Sequence, residues 1–160
     1  MTTTRALRRL APGATVPAPR QPTSAIPLGP PSEAAVPIRE GSPQSVVGHV
    51  ADFYGAYTDA LYDLGRGELA HALRHHYLTA ELCRSLIRWE AAHQGDGVLR
   101  AKGVPARWSV TYNDSGMGHC WSRVTLSWEG PGHEAPAHHT HLLVRSDLAT
   151  RRISGIWTDK

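Results

Sequence analysis

The chain has 160 residues, with 17 basic and 14 acidic side chains and a formal net charge of +3, a length typical of one domain. Five arginines and two glutamates fall within residues 1–43, so this segment holds the whole positive excess, while residues 44–160 carry twelve basic and twelve acidic side chains. A nucleic-acid-binding protein gathers basic charge on its folded face, so we expect no nucleic-acid partner. Arginine greatly outnumbers lysine, and alanine, glycine and proline are abundant, a bias typical of a high-GC, for example actinobacterial, coding sequence.

Residues 1–43 form a segment rich in proline and arginine. It contains nine of the twelve prolines and has no hydrophobic periodicity, which predicts a disordered leader. Its best apolar stretch, Leu10–Ala11, is followed at once by Pro12 and Gly13, whereas a secretory signal needs about 7–15 apolar residues. No stretch of the chain approaches the roughly 20 apolar residues of a membrane span. We therefore expect a cytoplasmic protein without membrane contact.

The first predicted helix covers residues 43–64. Ser42 is a suitable N-cap and Pro43 a suitable first helical residue. Large apolar residues then recur at steps of three and four, which is typical of an amphipathic helix: Val46, Val47, Val50, Phe53, Tyr54, Tyr57, Leu61 and Leu64. The glycines at 65 and 67 end it.

Two shorter helices are predicted next. The second covers residues 68–76. Thr79 caps the third, whose inner stripe consists of Leu82, Leu86, Trp89 and His93. The segment Gly95-Asp96-Gly97 ends this helix. Cys83 falls on the third helix and Cys120 on a strand, and without a CxxC spacing we interpret them as two reduced thiols.

After residue 100 the hydrophobic period changes to two, which predicts strands near residues 108–113, 119–128, 138–146 and 151–157. Residues 129–136 form a loop rich in glycine and proline. Three helices followed by an antiparallel meander indicate the α+β class, with the helices packed on one face of a four-stranded sheet.

Three segments resemble the nuclear transport factor 2-like, or cystatin-like, superfamily. Residues 53–57 (FYGAY) resemble its aromatic first helix, residues 77–82 (YLTAEL) resemble its third-helix start, and residues 96–105 (DGVLRAKGVP) resemble a segment of uncharacterised bacterial members. The resemblance covers residues 44–158 and implies a cone-shaped roll of three helices on a curved antiparallel sheet. Lys102-Gly103 stands where that pattern often has Gln-Asp. The superfamily includes cyclases, isomerases, dehydratases, scaffolds and binding modules, so the fold does not choose a function.

The resemblance also implies a pocket between the helices and the concave face of the sheet. Tyr54, Tyr57, Trp89 and His141 are its expected lining. Asp96 and His93 would lie near its rim, where a buried carboxylate or imidazole can act as a general base. The alternative is structural, because aromatic residues also build cores and Asp-Gly is a common turn pair.

The histidines do not predict a metal site. A hairpin turn near residues 132–133 would place His141 opposite Val124, His139 opposite Leu126 and His119 near Ser146, without a third ligand for the first two. His71 and His75 share a helix face, but the glutamate of an HExxH site is missing. We expect no metal and no cofactor.

Two functional hypotheses remain besides that of a subunit of a larger assembly, whose basic leader would tether it to an acidic partner. The first is a soluble domain that binds a small apolar molecule or a protein, or acts as a scaffold, through the roll's cavity or its sheet face. The second is a small-molecule enzyme of the cyclase, isomerase or dehydratase type with Asp96 or His93 as acid–base.

A homodimer through the sheet is also expected. One face of the second strand carries Val124, Leu126 and Trp128, and the other carries Trp121. The assumed pairing places Leu142 and Val144 beside Trp121 and Leu143 on the opposite side. Whichever face the helices cover, the other keeps large apolar residues, and such patches usually mark contact sites.

Overall fold

The computed structural model describes residues 42, 44–130 and 138–159. It contains three helices followed by four strands: α1 (Val46–Leu64), α2 (Glu68–Tyr77), α3 (Ala80–His93), β1 (Arg107–Gly116), β2 (His119–Trp128), β3 (His138–Asp147) and β4 (Ile153–Asp159). This confirms the predicted α+β class. The predicted leader, apart from Ser42, and most of the predicted loop at 129–136 lie outside the described residues. None of the described helices is long and apolar enough to cross a membrane.

The helix boundaries follow the capping residues. Ser45 rather than Ser42 caps α1, and its Oγ accepts a hydrogen bond from the Gly48 amide at 3.0 Å. The helix therefore begins at residue 46, three residues later than predicted. Thr79 caps α3 as predicted, because its Oγ1 accepts from the Leu82 amide at 3.3 Å. Gly65 ends α1 with a φ of 66°, a conformation that glycine adopts without strain.

The four strands form one antiparallel sheet in the order β1-β2-β3-β4. The predicted register between β2 and β3 is wrong by one residue. Val124 pairs with Leu142, Thr125 with His141, and His119 with Asp147. Because neighbouring side chains in a strand point to opposite faces, a shift of one residue moves every side chain of the partner strand to the other face.

One face of the sheet packs on the helices and forms the core. Its fully buried side chains include Val124, Leu126, Leu142, Val144 and Ile156. The aromatic stripe of α1, formed by Phe53, Tyr54 and Tyr57, is completely buried in the same cluster. Both cysteines are free, Cys83 half-buried on α3 and Cys120 buried on β2.

The opposite face of the sheet, here called the outer face, carries the alternate residues of the strands. No described helix packs on it. Trp121, Arg123, Leu143, Arg145 and Trp157 lie together on it, since Trp121 pairs with Arg145, Arg123 with Leu143, and Leu143 with Trp157. Contrary to the assumed pairing, Leu143 is therefore the leucine beside Trp121, while Leu142 and Val144 are in the core.

Candidate functional site

Asp96 follows α3 in a buried turn, with only 2% of its surface exposed. Its Oδ1 accepts hydrogen bonds from the amides of Val98 and Leu99 at 2.9 and 3.0 Å. Its Oδ2 accepts from the hydroxyl of Tyr57 at 2.7 Å. The side chain thus closes the turn and ties it to α1.

Arg74 of α2 joins the same group of side chains. Its Nη2 donates to the hydroxyl of Tyr57 at 2.6 Å, to Oε1 of Glu90 at 2.6 Å and to Oδ2 of Asp96 at 3.2 Å. Its Nη1 donates to Oε2 of Glu90 at 3.2 Å, and Glu90 also accepts from the amide of Gly97 at 2.8 Å. This network, here called the Asp96 network, connects all three helices to the turn that follows them.

The Asp96 network is balanced in charge. Arg66 completes it from the surface, with its Nε 3.5 Å from Oδ2 of Asp96 and half of its side chain exposed. Two guanidiniums therefore face the carboxylates of Asp96 and Glu90. A buried charge is tolerated when it is both paired and hydrogen-bonded, and here both conditions hold.

Ionisation states in the Asp96 network follow from burial and these bonds. Burial, with the carboxylate of Asp96 second, holds the pKa of Tyr57 well above its usual range, so its hydroxyl remains a donor. Burial opposes ionisation of Glu90, but the hydrogen bonds from Arg74 and Gly97 outweigh it and lower the pKa of that carboxyl. At neutral pH, Tyr57 therefore remains a donor and Glu90 an acceptor.

These bonds leave Asp96 poorly suited to acid–base chemistry. A general base must present a free lone pair to its substrate, whereas both oxygens of Asp96 already accept hydrogen bonds within the protein. Two clefts of about 100 and 150 Å³ open beside it, and Arg66 lines both. Both are smaller than the roughly 300–1,000 Å³ of a typical ligand pocket. The geometry favours the structural interpretation of this residue.

His93, the second candidate base, is not brought together with Asp96. It lies exposed at the end of α3, with its ring stacked on Trp89 at a centroid distance of 4.2 Å. Its Nδ1 is 2.8 Å from the carbonyl oxygen of Trp89. The inner stripe predicted for α3 thus holds only for Leu82 and Leu86, because Trp89 is half-buried and His93 is at the surface.

The residues predicted to line the pocket also lie in different parts of the fold. Tyr54 and Tyr57 are completely buried, and their rings pack on Phe53 at 5.4 and 5.2 Å, so they fill space as core residues. His141 is exposed on the outer face, where its Nδ1 is 3.1 Å from Oγ1 of Thr125. Its placement as a pocket residue is wrong, and the one-residue register shift is the cause.

No group of three or more potential metal ligands is present among residues 42, 44–130 and 138–159. His71 and His75 do share a face of α2, with their Nε2 atoms 3.2 Å apart.

The outer face presents a second candidate site, built on two tryptophans. The rings of Trp121 and Trp157 lie 5.5 Å apart, and the guanidinium of Arg145 lies 5.9 Å from the first ring and 5.4 Å from the second. The Nε of Arg145 donates to Oγ of Ser154 at 3.0 Å, which fixes the guanidinium beside the rings. Trp157 folds over Gly155, where an added Cβ would lie 1.9 Å from its ring. The sequence analysis identified Trp121 but missed Arg145 and Trp157. The correct pairing of β2 with β3 would have placed Arg145 opposite Trp121, and Gly155, two residues before Trp157, leaves room for that ring.

Comparison with known proteins adds evidence on the fold. No protein-family model matches the chain, and no curated protein matches it. A crystal structure of a protein of unknown function from Bacteroides thetaiotaomicron is similar, with a TM-score of 0.56 and 21% sequence identity over 71% of this chain and 89% of that one. At this identity the likeness concerns the fold alone.

Proposed function

We propose that this chain is a non-catalytic protein-binding domain of the nuclear transport factor 2-like superfamily that pairs with a second copy of itself through the outer face. The cluster of Trp121, Arg145 and Trp157 on that face carries the proposal. Trp157 is 44% exposed, although it is one of the largest apolar side chains in the protein. Tryptophan and arginine are the residue types that most often dominate the energy of protein interfaces.

The chemistry of the outer face suits a second copy. It carries both signs of charge: Arg123 forms an ion pair with Asp159 at 2.9 Å, and Asp147 follows Arg145 by two residues along β3. A twofold axis places the same patch on both partners, so each arginine can face a carboxylate of the other copy. A partner of one strong charge would fit this balanced surface less well.

The Asp96 network supports the non-catalytic part of the proposal. Its carboxylates and guanidiniums bond to one another, and the two clefts beside it are small. The groups best suited to chemistry are therefore engaged in holding the helices. The outer face, in contrast, presents aromatic surface that no described element covers.

The test compares variants of the full chain by size-exclusion chromatography with light scattering. The wild-type protein should elute as a dimer at micromolar concentration, and Trp121→Ser should elute as a monomer. Tyr62→Ser is the matched control, because Tyr62 is 82% exposed but lies on α1, away from the outer face. A monomeric wild type, or a Trp121→Ser protein that stays dimeric, would refute the proposal.

A further inference from the structure

A cleft of about 290 Å³ lies between α3 and β4, apart from the Asp96 network. Arg88 and Arg100 line it together with Ser85, Ser154 and Trp157. Ser85 and Arg88 are three residues apart on α3, so their side chains point to the same side of the helix. Cationic and hydroxyl donors thus converge on one concave surface.

Arg100 is held in place within this cleft. Its Nη2 donates to the carbonyl oxygen of Ile156 at 2.7 Å, and its guanidinium lies 4.8 Å from the ring centroid of Trp89. Its backbone has a φ of 55°, which is uncommon for a residue other than glycine. These contacts fix the guanidinium at the edge of β4 and leave its Nη1 free of any hydrogen bond to the described residues.

Neither arginine forms an ion pair with a described residue. No carboxylate among the described residues lies within ion-pair distance of Arg88 or Arg100, and the Nε of Arg100 is buried without an acceptor. Burial lowers the pKa of Arg100, against the raising effect of Tyr54 and Glu90. A half-buried cation without an anion is costly, and an added anion would relieve that cost.

Among the described residues that line the cleft, Glu81 is the one carboxylate. It precedes Arg88 by seven residues, which is about 10 Å along a helix and about one Debye length at physiological salt. Its charge therefore only weakly offsets that of Arg88. An anion entering the cleft at Arg88 would meet net positive charge.

We propose that this cleft binds a small organic or inorganic anion through a carboxylate or phosphate group held by Arg88 and Arg100. Planar guanidiniums bind both groups through paired, charge-assisted hydrogen bonds. Ser85 supplies a neutral donor beside them, whereas the hydroxyl of Ser154 already donates to the carbonyl oxygen of Arg145 at 3.4 Å. The volume suits a small molecule, since it lies near the lower end of the range for ligand pockets.

The test is an NMR titration of the full-length protein with two probes, inorganic phosphate and benzoate. At least one probe should shift the amide signals of Ser85 and Arg88 and the indole signal of Trp157 in a saturable way, with a dissociation constant of about 1 mM. The probe that binds more tightly identifies the anionic group. If neither probe gives saturable shifts at these residues, the proposal is wrong.

Two variants sharpen the test. Arg88 is exposed and makes no hydrogen bond to a described residue, so Arg88→Gln should fold normally and weaken binding about tenfold, as expected for the loss of charge-assisted bonds. Arg84→Gln is the control, because Arg84 lies on α3 but lines a different groove. Arg100→Lys keeps the charge but loses the planar fork, and it too should weaken binding. Equal affinity in the wild type and Arg88→Gln, or equal weakening by Arg84→Gln, would overturn the proposal.

Discussion

The Asp96 network and the outer face differ in how completely their polar and aromatic groups are used. In the Asp96 network, Arg74 bonds to Tyr57, Glu90 and Asp96, and these groups are largely buried. On the outer face, Trp157 and Arg145 contact one another and still present surface to solvent. The polar groups of the Asp96 network are thus bonded to one another within the protein, while Trp157 on the outer face remains 44% exposed.

The largest effect is expected at Asp96. Asp96→Ala removes the acceptor of the Tyr57 hydroxyl and of two backbone amides, and leaves Arg74 with a donor unpaired. Breaking a buried, hydrogen-bonded pair costs about 3–5 kcal/mol, which we expect as a loss in the free energy of unfolding measured with urea. Asp59→Ala is the control, because Asp59 is an exposed carboxylate on α1. Equal stability of the two variants would contradict the structural role of Asp96.

Acid should weaken the Asp96 network through Glu90. The pKa of Glu90 is lowered in the folded protein from a usual value of 4.5, so its contribution is present above pH 4.5 and is lost as the pH falls through the folded value. At neutral pH, Glu90→Gln should cost about 2–3 kcal/mol, as expected for bonds to a charged group. The stability difference between wild type and variant should shrink below pH 4.5. A difference that stays constant down to low pH would show that the charge of Glu90 does not matter.

Replacing Trp89 tests how deeply the end of α3 is buried. A fully buried tryptophan replaced by alanine costs about 3–5 kcal/mol, but Trp89 is only half-buried between His93 and Arg100. We therefore expect Trp89→Ala to lower the free energy of unfolding by about 2 kcal/mol. Leu86→Ala, at a completely buried position of the same helix, should cost more. The reverse order would place Trp89 in the core.

Gly155 tests how the outer face is built. Gly155→Ala would place a Cβ 1.9 Å from the ring of Trp157, so the ring must leave its present position. We expect a loss of about 1–2 kcal/mol from overpacking and a change in the near-ultraviolet circular dichroism of the tryptophans. Gly116→Ala is the control, since nothing lies within 4 Å of the added Cβ. An unchanged spectrum in Gly155→Ala would show that Trp157 does not rest on this glycine.

Local patterns in the sequence predicted the elements well, because helices and strands leave periodic signals. The aromatic stripe of α1, the Thr79 cap and the order of helices and strands all follow from residues close in sequence. The Asp96 network could not be predicted in this way, since Arg74 is 16 residues from Glu90 and 22 from Asp96. Arg74 lies between His71 and His75 on a helix with little apolar character, and nothing nearby in the sequence indicates its burial.

The faces of the sheet depended on a single register. The alternation of apolar and polar residues correctly predicted which residues of β2 share a face. Which residue of β3 pairs with Trp121, however, depends on the connection between the two strands. Because the predicted register was wrong by one residue, His141 was assigned to the pocket and Leu143 was not assigned to the outer face. The outer face was therefore recognised as apolar, while its composition was partly wrong.

Sedimentation equilibrium of the full chain tests most directly whether the outer face controls dimerisation independently of the Asp96 network. The dimer dissociation constant should rise at least about tenfold, or about 1.4 kcal/mol, in Trp121→Ser and should remain unchanged in Tyr57→Phe. Tyr57→Phe should nevertheless lower the free energy of unfolding, because it removes the hydroxyl that bonds both Asp96 and Arg74. A dissociation constant that responds to Tyr57→Phe and not to Trp121→Ser would contradict the account.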